Sequence, residues 1–321
     1  MKNLYIIGNG FDKHHGIPSG YWDYHDWLMK KDKKLVEEID ELYCYDQDLW
    51  GNFEVELGNL DVVVKAQEIY SDHPANLLSD HYDREYHEGQ IVAGDTIGGI
   101  YNQIRASFPE WIRSLSKGDS TKLLKLEDDS FFITFNYTDT LIDLYKIPEK
   151  DILFIHGRSV LDGDHLVLGH GKSADQVKKE SEIGIDENTE MPYVETVWAI
   201  ERQVNMMRKQ TEKIISENQK VWDSLADVEH IYVYGCSLSE VDLPYFKTIV
   251  SKIDAAKVKW DVNAFGKDID AYNKDCTHKI QFLEELGINK DLITTYRLVD
   301  ILKYQTESLF DVKEIDARYN K

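Results

Sequence analysis

The sequence has few cysteines, and their spacing suggests no pairing. Its 321 residues contain three of them, Cys44, Cys236 and Cys276, each far from the next along the chain. Disulfide-rich secreted domains carry many cysteines at regular short spacings. The pattern therefore favours free thiols in a reducing cytosol.

Long hydrophobic runs are also absent. The apolar run at the N-terminus ends at Gly8 and is too short for a signal peptide. No other stretch approaches the roughly 20 apolar residues that a membrane-spanning helix needs. We therefore expect no membrane segment and a cytoplasmic location.

Positive charge is scarce. Lysine and arginine number 37 against 59 acidic residues, which gives a net charge of -22 and a pI near 4.9. An acidic surface repels phosphate backbones and anionic lipids, so bulk binding to nucleic acid or membrane is disfavoured. The hydrophobic content of 42% and the chain length are ordinary for a globular protein with a sizeable core.

The most informative stretch is the first twelve residues. Asn3–Ile7 is a short apolar run typical of a buried strand, and Gly8–Asp12 follows it at once with two glycines. Glycine lets the backbone turn sharply and expose its N–H groups, as a phosphate-binding turn requires. The third glycine of the dinucleotide fingerprint is missing, because Lys13 stands in its place. Two interpretations stay open: a nucleotide-binding turn, and a tight turn whose glycines serve steric needs alone.

Helical spacing dominates the next hundred residues. Apolar residues recur at this spacing from Tyr21 to Leu124, which predicts a helical insertion at residues 21–125. Within it, the polar Ser71–Asp95 stretch predicts an acidic loop or helix end. Further along, Val197–Leu225 has the pattern of one long amphipathic helix. The strands predicted after the insertion are Ser130–Phe135, Asp151–Ile155, His165–Leu168, His230–Tyr234, Val258–Phe265 and an edge strand at Ile293–Leu298.

Strands that alternate with helices predict an α/β fold with a mostly parallel, Rossmann-like sheet and helices on both faces. We predict a single α/β domain over residues 1–321. Ligands of such sheets bind at the carboxyl ends of the strands, where the strand order reverses. Polar or glycine residues follow the predicted strands and should converge on one crevice. They are Gly8-Asn9-Gly10, Asn136, His156-Gly157, His170 and Gly235-Cys236-Ser237.

These stretches together resemble the AbiH family of bacterial abortive-infection proteins, which act in phage defence. The resemblance extends over nearly the whole chain, and the ordered set is far more specific than any one motif. The family pattern has histidine at the position of Cys236. The residues that carry the resemblance are Ile6-Ile7-Gly8-Asn9-Gly10-Phe11-Asp12, Trp50 with Phe53 and Glu54, Phe135-Asn136-Tyr137-Thr138, Ile155-His156-Gly157, and Tyr234-Gly235-Cys236-Ser237-Leu238-Ser239.

AbiH proteins are in turn distantly similar to the sirtuin-like fold. That similarity implies a glycine loop after the first strand, an asparagine after a later strand, and a His-Gly pair. The chain departs from this pattern in having Thr138 where an aspartate is expected, with the acid delayed to Asp139. It also lacks the four cysteines of a sirtuin zinc ribbon, which argues against lysine deacylation.

The sirtuin-like site that the resemblance implies cleaves the bond between nicotinamide and ribose in NAD. Asn136 would orient a water or a ribose hydroxyl, and His156 would act as general base. The Gly8–Gly10 turn would hold the pyrophosphate through its backbone N–H groups. Ser237 would bind a ribose hydroxyl, and Asp12 would either do the same or cap the next helix. The other residues predicted to bind NAD are Asn9, Phe11, Tyr137, Gly157, His170 and Gly235. No metal site is predicted.

Structural interpretations stand beside these roles. An asparagine after a strand commonly makes a turn, and a histidine before glycine can be a satisfied core residue. Glu54 would be a second acid in the cleft, a surface residue or a buried ion-pair partner. Asp242, two residues before Pro244, fits a helix N-cap better than a catalyst.

Three functions remain open at the level of the sequence. The first is an antiphage effector that hydrolyses NAD to nicotinamide and ADP-ribose. The second is a nucleotide-binding sensor without turnover, and the third is a hydrolase of another nucleotide or of nucleic acid. The expected partners are a nucleotide and a phage-derived trigger or second defence protein, and a homo-oligomer is left open.

Overall fold

The computed structural model describes residues 1–44, 46, 48–76, 78–119, 124–158, 166–298 and 300. It divides into two compact units. The first unit contains the described residues of Met1–Ser19, Leu115–Leu166 and Thr211–Lys321. The second contains the described residues of Gly20–Ser114 and Val167–Gln210.

A six-stranded sheet, parallel throughout, forms the centre of the first unit. All six strands are short, and each contains apolar or aromatic residues. They are β1 (Asn3–Ile7), β2 (Ser130–Thr134), β3 (Ile152–Phe154), β4 (His230–Tyr234), β5 (Lys259–Asn263) and β6 (Ile293–Tyr296).

The strand order is β3-β2-β1-β4-β5-β6, which is the order of the dinucleotide-binding Rossmann fold. The prediction of an α/β, Rossmann-like, mostly parallel sheet is therefore confirmed, and β6 is the edge strand that the sequence predicted. The order reverses between β1 and β4, where Ile7 pairs with Tyr234. In open α/β sheets, this reversal marks the crevice where ligands bind.

Side chains that alternate along the strands form two separate cores, one on each face of the sheet. Leu4 and Ile6 of β1 point into a core that includes Tyr245 and Phe282. Tyr5 and Ile7 point into the opposite core, together with Phe11 and Leu141. Both faces are thus covered, as a parallel sheet requires.

The helices of the first unit follow the strands as the alternating pattern predicted. Asp268 caps the helix after β5 by accepting a hydrogen bond from the backbone N–H of Ala271. These helices are α1 (Asn9–His14), α7 (Thr140–Asp143), α10 (Thr211–Glu217), α11 (Gln219–Asp223), α12 (Leu243–Lys252) and α13 (Ile269–Glu285).

The second unit is all-helical. Gly20 is the N-cap of its first helix, and the Asp23 carboxylate accepts the N–H of Gly20 at 2.9 Å. Asp32 and Asp61 cap the two helices that begin after them. The helices of this unit are α2 (Tyr21–Lys31), α3 (Lys33–Leu42), α4 (Phe53–Glu56), α5 (Val62–Asp72), α6 (Tyr82–Ser114), α8 (Ala174–Ser181) and α9 (Met191–Met206).

Helix α6 begins within the stretch that composition predicted to be a loop or helix end. Its small residues explain the difference, because they let α9 approach closely. A Cβ on Gly89 would lie 2.4 Å from Oγ1 of Thr196, and one on Gly98 would lie 2.8 Å from Oε1 of Gln203. Gly89 and Gly98 are therefore helix-packing residues.

Two further elements differ from the predictions. The structure has three helices, α9, α10 and α11, where the sequence predicted one helix over Val197–Leu225. Helix α9 ends at Met206, and the second unit ends at Gln210, just before α10 begins. The strand predicted at His165–Leu168 is not formed by its described residues 166–168, and His165 itself lies outside the described part.

Candidate functional site

The register of the sheet brings the predicted strand ends to one edge. Ile7 pairs with Thr134 on one side and with Tyr234 on the other. The N–H of Ile155 donates to the carbonyl of Thr134 at 3.0 Å, so β3 ends at the same level. The residues that follow each strand, including Asn136, therefore leave the sheet at its carboxyl edge.

The glycine turn after β1 packs directly on the turn after β4. A Cβ on Gly8 would lie 2.5 Å from Cα of Cys236, and one on Gly10 would lie 2.8 Å from Cα of Gly235. The N–H of Gly10 donates to the carbonyl of Gly235 at 2.8 Å. Gly235 has φ +68, a conformation that favours glycine. This packing supports the steric interpretation of the glycines.

The same packing determines what a substitution at Gly10 would do. A Gly10→Val substitution would be expected to weaken nucleotide binding and leave the core folded if the turn faced only a ligand. Because the added side chain would meet backbone atoms of Gly235, the substitution must disturb the packing of the two turns. Phosphate binding by this turn stays a prediction.

Asp12 is a buried carboxylate at the carboxyl edge. Its residue exposure is 1%, and it accepts hydrogen bonds from the hydroxyls of Thr138 at 2.6 Å and Thr140 at 2.7 Å. Burial raises the pKa of Asp12 from 3.8 to about 6, while the two threonine hydroxyls act in the opposite direction. Asp12 therefore titrates close to neutral pH.

Asn136 lies beside this carboxylate and is 6% exposed. Its backbone N–H donates to Oγ1 of Thr134 at 3.1 Å. Its side-chain Nδ2 is buried and has no hydrogen-bond partner among the described residues. The side-chain amide of Asn136 favours the charged form of Asp12 and so lowers its pKa, with less effect than the two threonine hydroxyls.

His156 is buried next to a second carboxylate. Its Nε2 lies 3.6 Å from Oδ1 of Asp242, and its ring stacks on Tyr137 with centroids 6.0 Å apart. Phe135 and Tyr245 pack edge-on against the same ring. Since Tyr137 is the residue after Asn136, the two buried polar clusters adjoin along the chain. A histidine beside a carboxylate has the composition of a general acid–base pair.

The other predicted residues of the first unit occupy varied positions. Phe11 is a core residue, and Asn9 accepts a short hydrogen bond from the hydroxyl of Ser19. Gly157 has φ +75 in the turn after β3, and its N–H donates to the carbonyl of Phe154. Ser237 is exposed, and its neighbour Cys236 is buried in the core.

His170 belongs to the second unit. Its Nε2 lies 2.9 Å from the carbonyl of Val204, and its Nδ1 accepts the N–H of Lys172 at 3.2 Å. This arrangement fixes the tautomer with the proton on Nε2. Burial lowers the pKa of His170 below 6.5, with Lys172 and Arg208 adding to the effect. Both ring nitrogens make hydrogen bonds to the backbone within the second unit. The predicted role of His170 in binding NAD therefore gains no support from the geometry.

Glu54 is a largely buried ion-pair partner, which agrees with one of the interpretations left open by the sequence. Its carboxylate lies 2.9 and 3.0 Å from the amine of Lys209, a side chain with no exposed surface. Both residues belong to the second unit.

Three residues next to the predicted site were missed from the sequence. The hydroxyls of Thr138 and Thr140 donate hydrogen bonds to Asp12, a role that the sequence analysis gave to neither residue. Asp242 does hold the N-cap position of α12, but its side chain makes no capping bond and faces His156 instead. The sequence could not have paired residues that lie so far apart in the chain.

Two cavities lie elsewhere. One of about 590 Å³ is at the amino edge of the sheet, lined by residues that include Lys2, Asp129 and Glu229. Another of about 410 Å³ is in the second unit near Tyr70 and Tyr193. Among the described residues, no cluster of His, Cys, Asp and Glu is arranged to hold a metal ion. Within the same part of the chain, no helix combines the length and apolarity that crossing a membrane demands.

Comparison with known proteins gives one match. The profile of the family described as bacteriophage abortive infection AbiH matches residues 4–264. The matched region runs from β1 to the end of β5 and includes every helix of the second unit. No curated protein and no solved structure matches the chain.

Proposed function

This chain belongs to the family of bacteriophage abortive infection AbiH proteins, and we propose that it is an antiphage effector that hydrolyses NAD. The reaction would take place at the carboxyl edge of the sheet, at Asn136 and His156. The products would be nicotinamide and ADP-ribose, and loss of cellular NAD would be the toxic event.

The observation that carries the proposal is the buried polar lining of this edge. Asp12, Asn136 and His156 are each at least 94% buried at the carboxyl ends of parallel strands in Rossmann order. Burying such groups costs stability unless they are paired, yet Nδ2 of Asn136 has no partner in the part of the chain that is described. Unpaired buried polar groups at a ligand-binding edge are a signature of function.

The chemistry needs only groups that are present. The bond between the anomeric carbon and the nicotinamide nitrogen would break, and its electron pair would leave with nicotinamide. A water oxygen would form the new bond to the same carbon, and its proton would pass to His156. Asp242, 3.6 Å from His156, would stabilise the protonated ring. Cleavage of this bond is easiest when an oxocarbenium-like carbon is held away from bulk water.

The proposal is tested by measuring nicotinamide. Purified protein is incubated with NAD, and free nicotinamide is followed by chromatography; NAD is also measured in phage-infected cells that carry the protein. We expect NAD to fall in infected cells with the parent and to persist with His156→Ala or Asn136→Ala. Loss of a general base typically lowers a rate by about 10²–10⁴-fold.

A matched control is Asn3→Ala, which removes an amide at the amino end of β1 that donates to the carbonyl of Asp128. This variant should deplete NAD as the parent does. If infected cells with the parent keep their NAD and still resist phage, hydrolysis of NAD is not the function.

The second candidate is a nucleotide sensor that binds without turnover. The burial of Asp12, Asn136 and His156 favours this sensor. Hydrolysis would require a water molecule to reach the same buried place, whereas binding alone would not. In that case calorimetry would detect NAD binding, and no nicotinamide would form in vitro or in infected cells.

A further inference from the structure

The cavity of about 410 Å³ in the second unit is lined by α5, by the start of α9 and by the loop before α9. Val63, Gln67 and Tyr70 are four and three positions apart, so they lie on one face of α5. Tyr193 belongs to the first turn of α9. All the lining residues belong to the second unit, so the cavity is a feature of that unit by itself.

Two tyrosine rings form the aromatic part of this cavity. Tyr70 and Tyr193 meet edge to face, with ring centroids 5.8 Å apart and ring planes at 66°. Each ring has two faces, and an edge-to-face contact covers no more than one of them. Both residues are half-buried and line the cavity, so aromatic faces that attract a cation remain within its reach.

A carboxylate lies beside the two rings. Oε2 of Glu190 accepts a hydrogen bond from the hydroxyl of Tyr70, and Glu190 also lines the cavity. Burial first and the Glu190 carboxylate second raise the pKa of Tyr70 to about 12, so this hydroxyl keeps its proton at neutral pH. Among the described residues, no lysine, arginine or histidine forms an ion pair with Glu190. The carboxylate is therefore held in place with acceptor positions still open.

The loop that carries Glu190 is internally bonded and acidic. The Asp186 carboxylate accepts the N–H of Asn188 at 2.9 Å and the hydroxyl of Thr189 at 3.1 Å. The hydroxyl of Thr189 is thereby used within the loop. Residues 181–190 contain four acidic residues and neither lysine nor arginine. The surroundings of the cavity therefore attract cations and repel anions.

A cation with a planar, hydrogen-bonding head matches this lining best. An anion would be repelled by Glu190, and an apolar group would cover the carboxylate without giving it a donor. A guanidinium stacks on an aromatic face and donates to a carboxylate at the same time, whereas a compact ammonium cannot stack in this way. Glu190 and Tyr193 are three positions apart at the start of α9, which places their side chains close enough to share one such group.

We propose that this cavity binds an arginine side chain of a protein partner. The guanidinium stacks on the ring of Tyr193 and donates to the carboxylate of Glu190, which the Tyr70 hydroxyl positions. A protein segment is the source because its peptide bonds carry no charge. Free arginine has a carboxylate of its own, which the acidic loop repels. The proposal does not depend on hydrolysis of NAD.

The test measures dissociation constants of four probes by ligand-observed nuclear magnetic resonance. The probes are a pentapeptide Gly-Ser-Arg-Ser-Gly with both ends blocked, the same peptide with citrulline at the central position, the same peptide with lysine there, and free arginine. Citrulline has nearly the shape of arginine without its charge. We expect the parent to bind the arginine peptide about tenfold more tightly than the citrulline peptide, and more tightly than the other two probes.

Two pairs of variants locate the binding. Glu190→Gln should remove most of the preference for arginine over citrulline. It should leave α9 intact, since Glu190 makes no side-chain capping bond. Its matched control is Glu187→Gln, which removes the same charge from an exposed residue of the same loop outside the cavity lining and should keep the preference. Tyr193→Leu should also lose the preference, whereas Tyr193→Phe retains the ring and should keep it.

Circular dichroism and a melting curve establish that each variant is folded, and Glu190→Gln decides the outcome should Tyr193→Leu be unstable. Equal binding of the arginine and citrulline peptides by the parent overturns the proposal. So does an equal loss in Glu187→Gln and Glu190→Gln, because general attraction to an acidic surface would then explain the binding. A lysine peptide that binds as tightly as the arginine peptide overturns the assignment to arginine. Free arginine that binds as tightly overturns the assignment to a protein segment.

Discussion

The hydroxyl of Thr138 donates a 2.6 Å hydrogen bond to Oδ2 of Asp12, across 126 positions of the chain. Thr138 follows β2, whereas Asp12 belongs to α1, the helix that follows β1. The contact therefore joins the chain segments that leave two neighbouring strands, and it places a buried carboxylate at this edge of the sheet.

The first prediction concerns the pH dependence of stability. The pKa of Asp12 is 3.8 in the unfolded chain and about 6 in the fold, so the native state holds the proton more tightly between these values. Stability contributed by this group is present below pH 4 and is lost as the pH rises to about 6. This difference between the native and unfolded pKa values of Asp12 corresponds to about 3 kcal/mol of folding free energy.

Asp12→Asn should remove this loss. Urea unfolding at pH 4 and pH 8 gives the free energy of unfolding of the parent and the variant. From pH 4 to pH 8, the stability of the variant relative to the parent should increase by about 3 kcal/mol. The same variant should bind NAD more weakly than the parent, as expected when a site retains an unfavourable charge for function. A parent and variant with the same pH profile would contradict the raised pKa.

The second prediction concerns the contact between the two turns. Gly235 has φ +68, and an added Cβ would lie 2.0 Å from the backbone nitrogen of Phe11. Gly235→Ala should therefore destabilise the first unit by more than about 3 kcal/mol, since backbone strain and a backbone clash act together.

Gly287→Ala is the matched control for Gly235→Ala. Gly287 has φ +92, and nothing lies within 4 Å of the added Cβ. Only backbone strain acts there, so we expect a cost of about 1–2 kcal/mol. Equal melting temperatures for the two variants would show that the turns do not pack as described.

The third prediction concerns Lys209 and Glu54 in the second unit. Lys209→Met should destabilise the protein by about 3–5 kcal/mol, because it removes the buried Lys209 amine from the largely buried Glu54 carboxylate. The double variant with Glu54→Leu should recover much of that loss. Chemical unfolding of the parent, both single variants and the double variant gives the coupling free energy.

An exposed pair provides the comparison. Lys33 and Glu37 form an i,i+4 ion pair with side chains 66% and 59% exposed. Lys33→Met should change stability by less than about 0.5 kcal/mol. A comparable effect at both lysines would argue against the burial of the Lys209 pair.

The fourth prediction concerns His170 in acid. Its Nδ1 accepts the N–H of Lys172, so protonation of the ring breaks that hydrogen bond. Because the native pKa lies below 6.5, the unfolded chain takes up the proton first as the pH falls. Stability should be complete above pH 6.5 and should decrease as the pH falls below it.

His170→Gln tests this assignment by urea unfolding at pH 8 and pH 5.5. The variant should be less stable than the parent at pH 8, because the contact with the Val204 carbonyl changes. Between pH 8 and pH 5.5, it should lose less of its unfolding free energy than the parent. His278→Gln, at an exposed position on α13, should retain the acid sensitivity of the parent. Identical acid sensitivity in His170→Gln and the parent would contradict a buried neutral histidine.

The sequence by itself determined the local elements of the sheet. Asn3–Ile7 and His230–Tyr234 are strands at the predicted bounds, because short runs of β-branched and aromatic residues bounded by glycine have one good local solution. Residues that leave the strands at Gly8, Asn136 and His156 were found for the same reason. These residues lie at the ends of strands, and the hydrophobic pattern of the sequence shows where each strand ends.

Only the tertiary structure decided what those residues contact. The strand order, the burial of Asp12 and the pairing of His156 with Asp242 all join segments far apart in the chain, and no local pattern encodes such distances. The glycines of α6 also show that local sequence preferences do not decide every position. Gly89 suggests a helix breaker by propensity, yet it lies inside α6, because close packing against Thr196 outweighs about 1 kcal/mol of intrinsic cost.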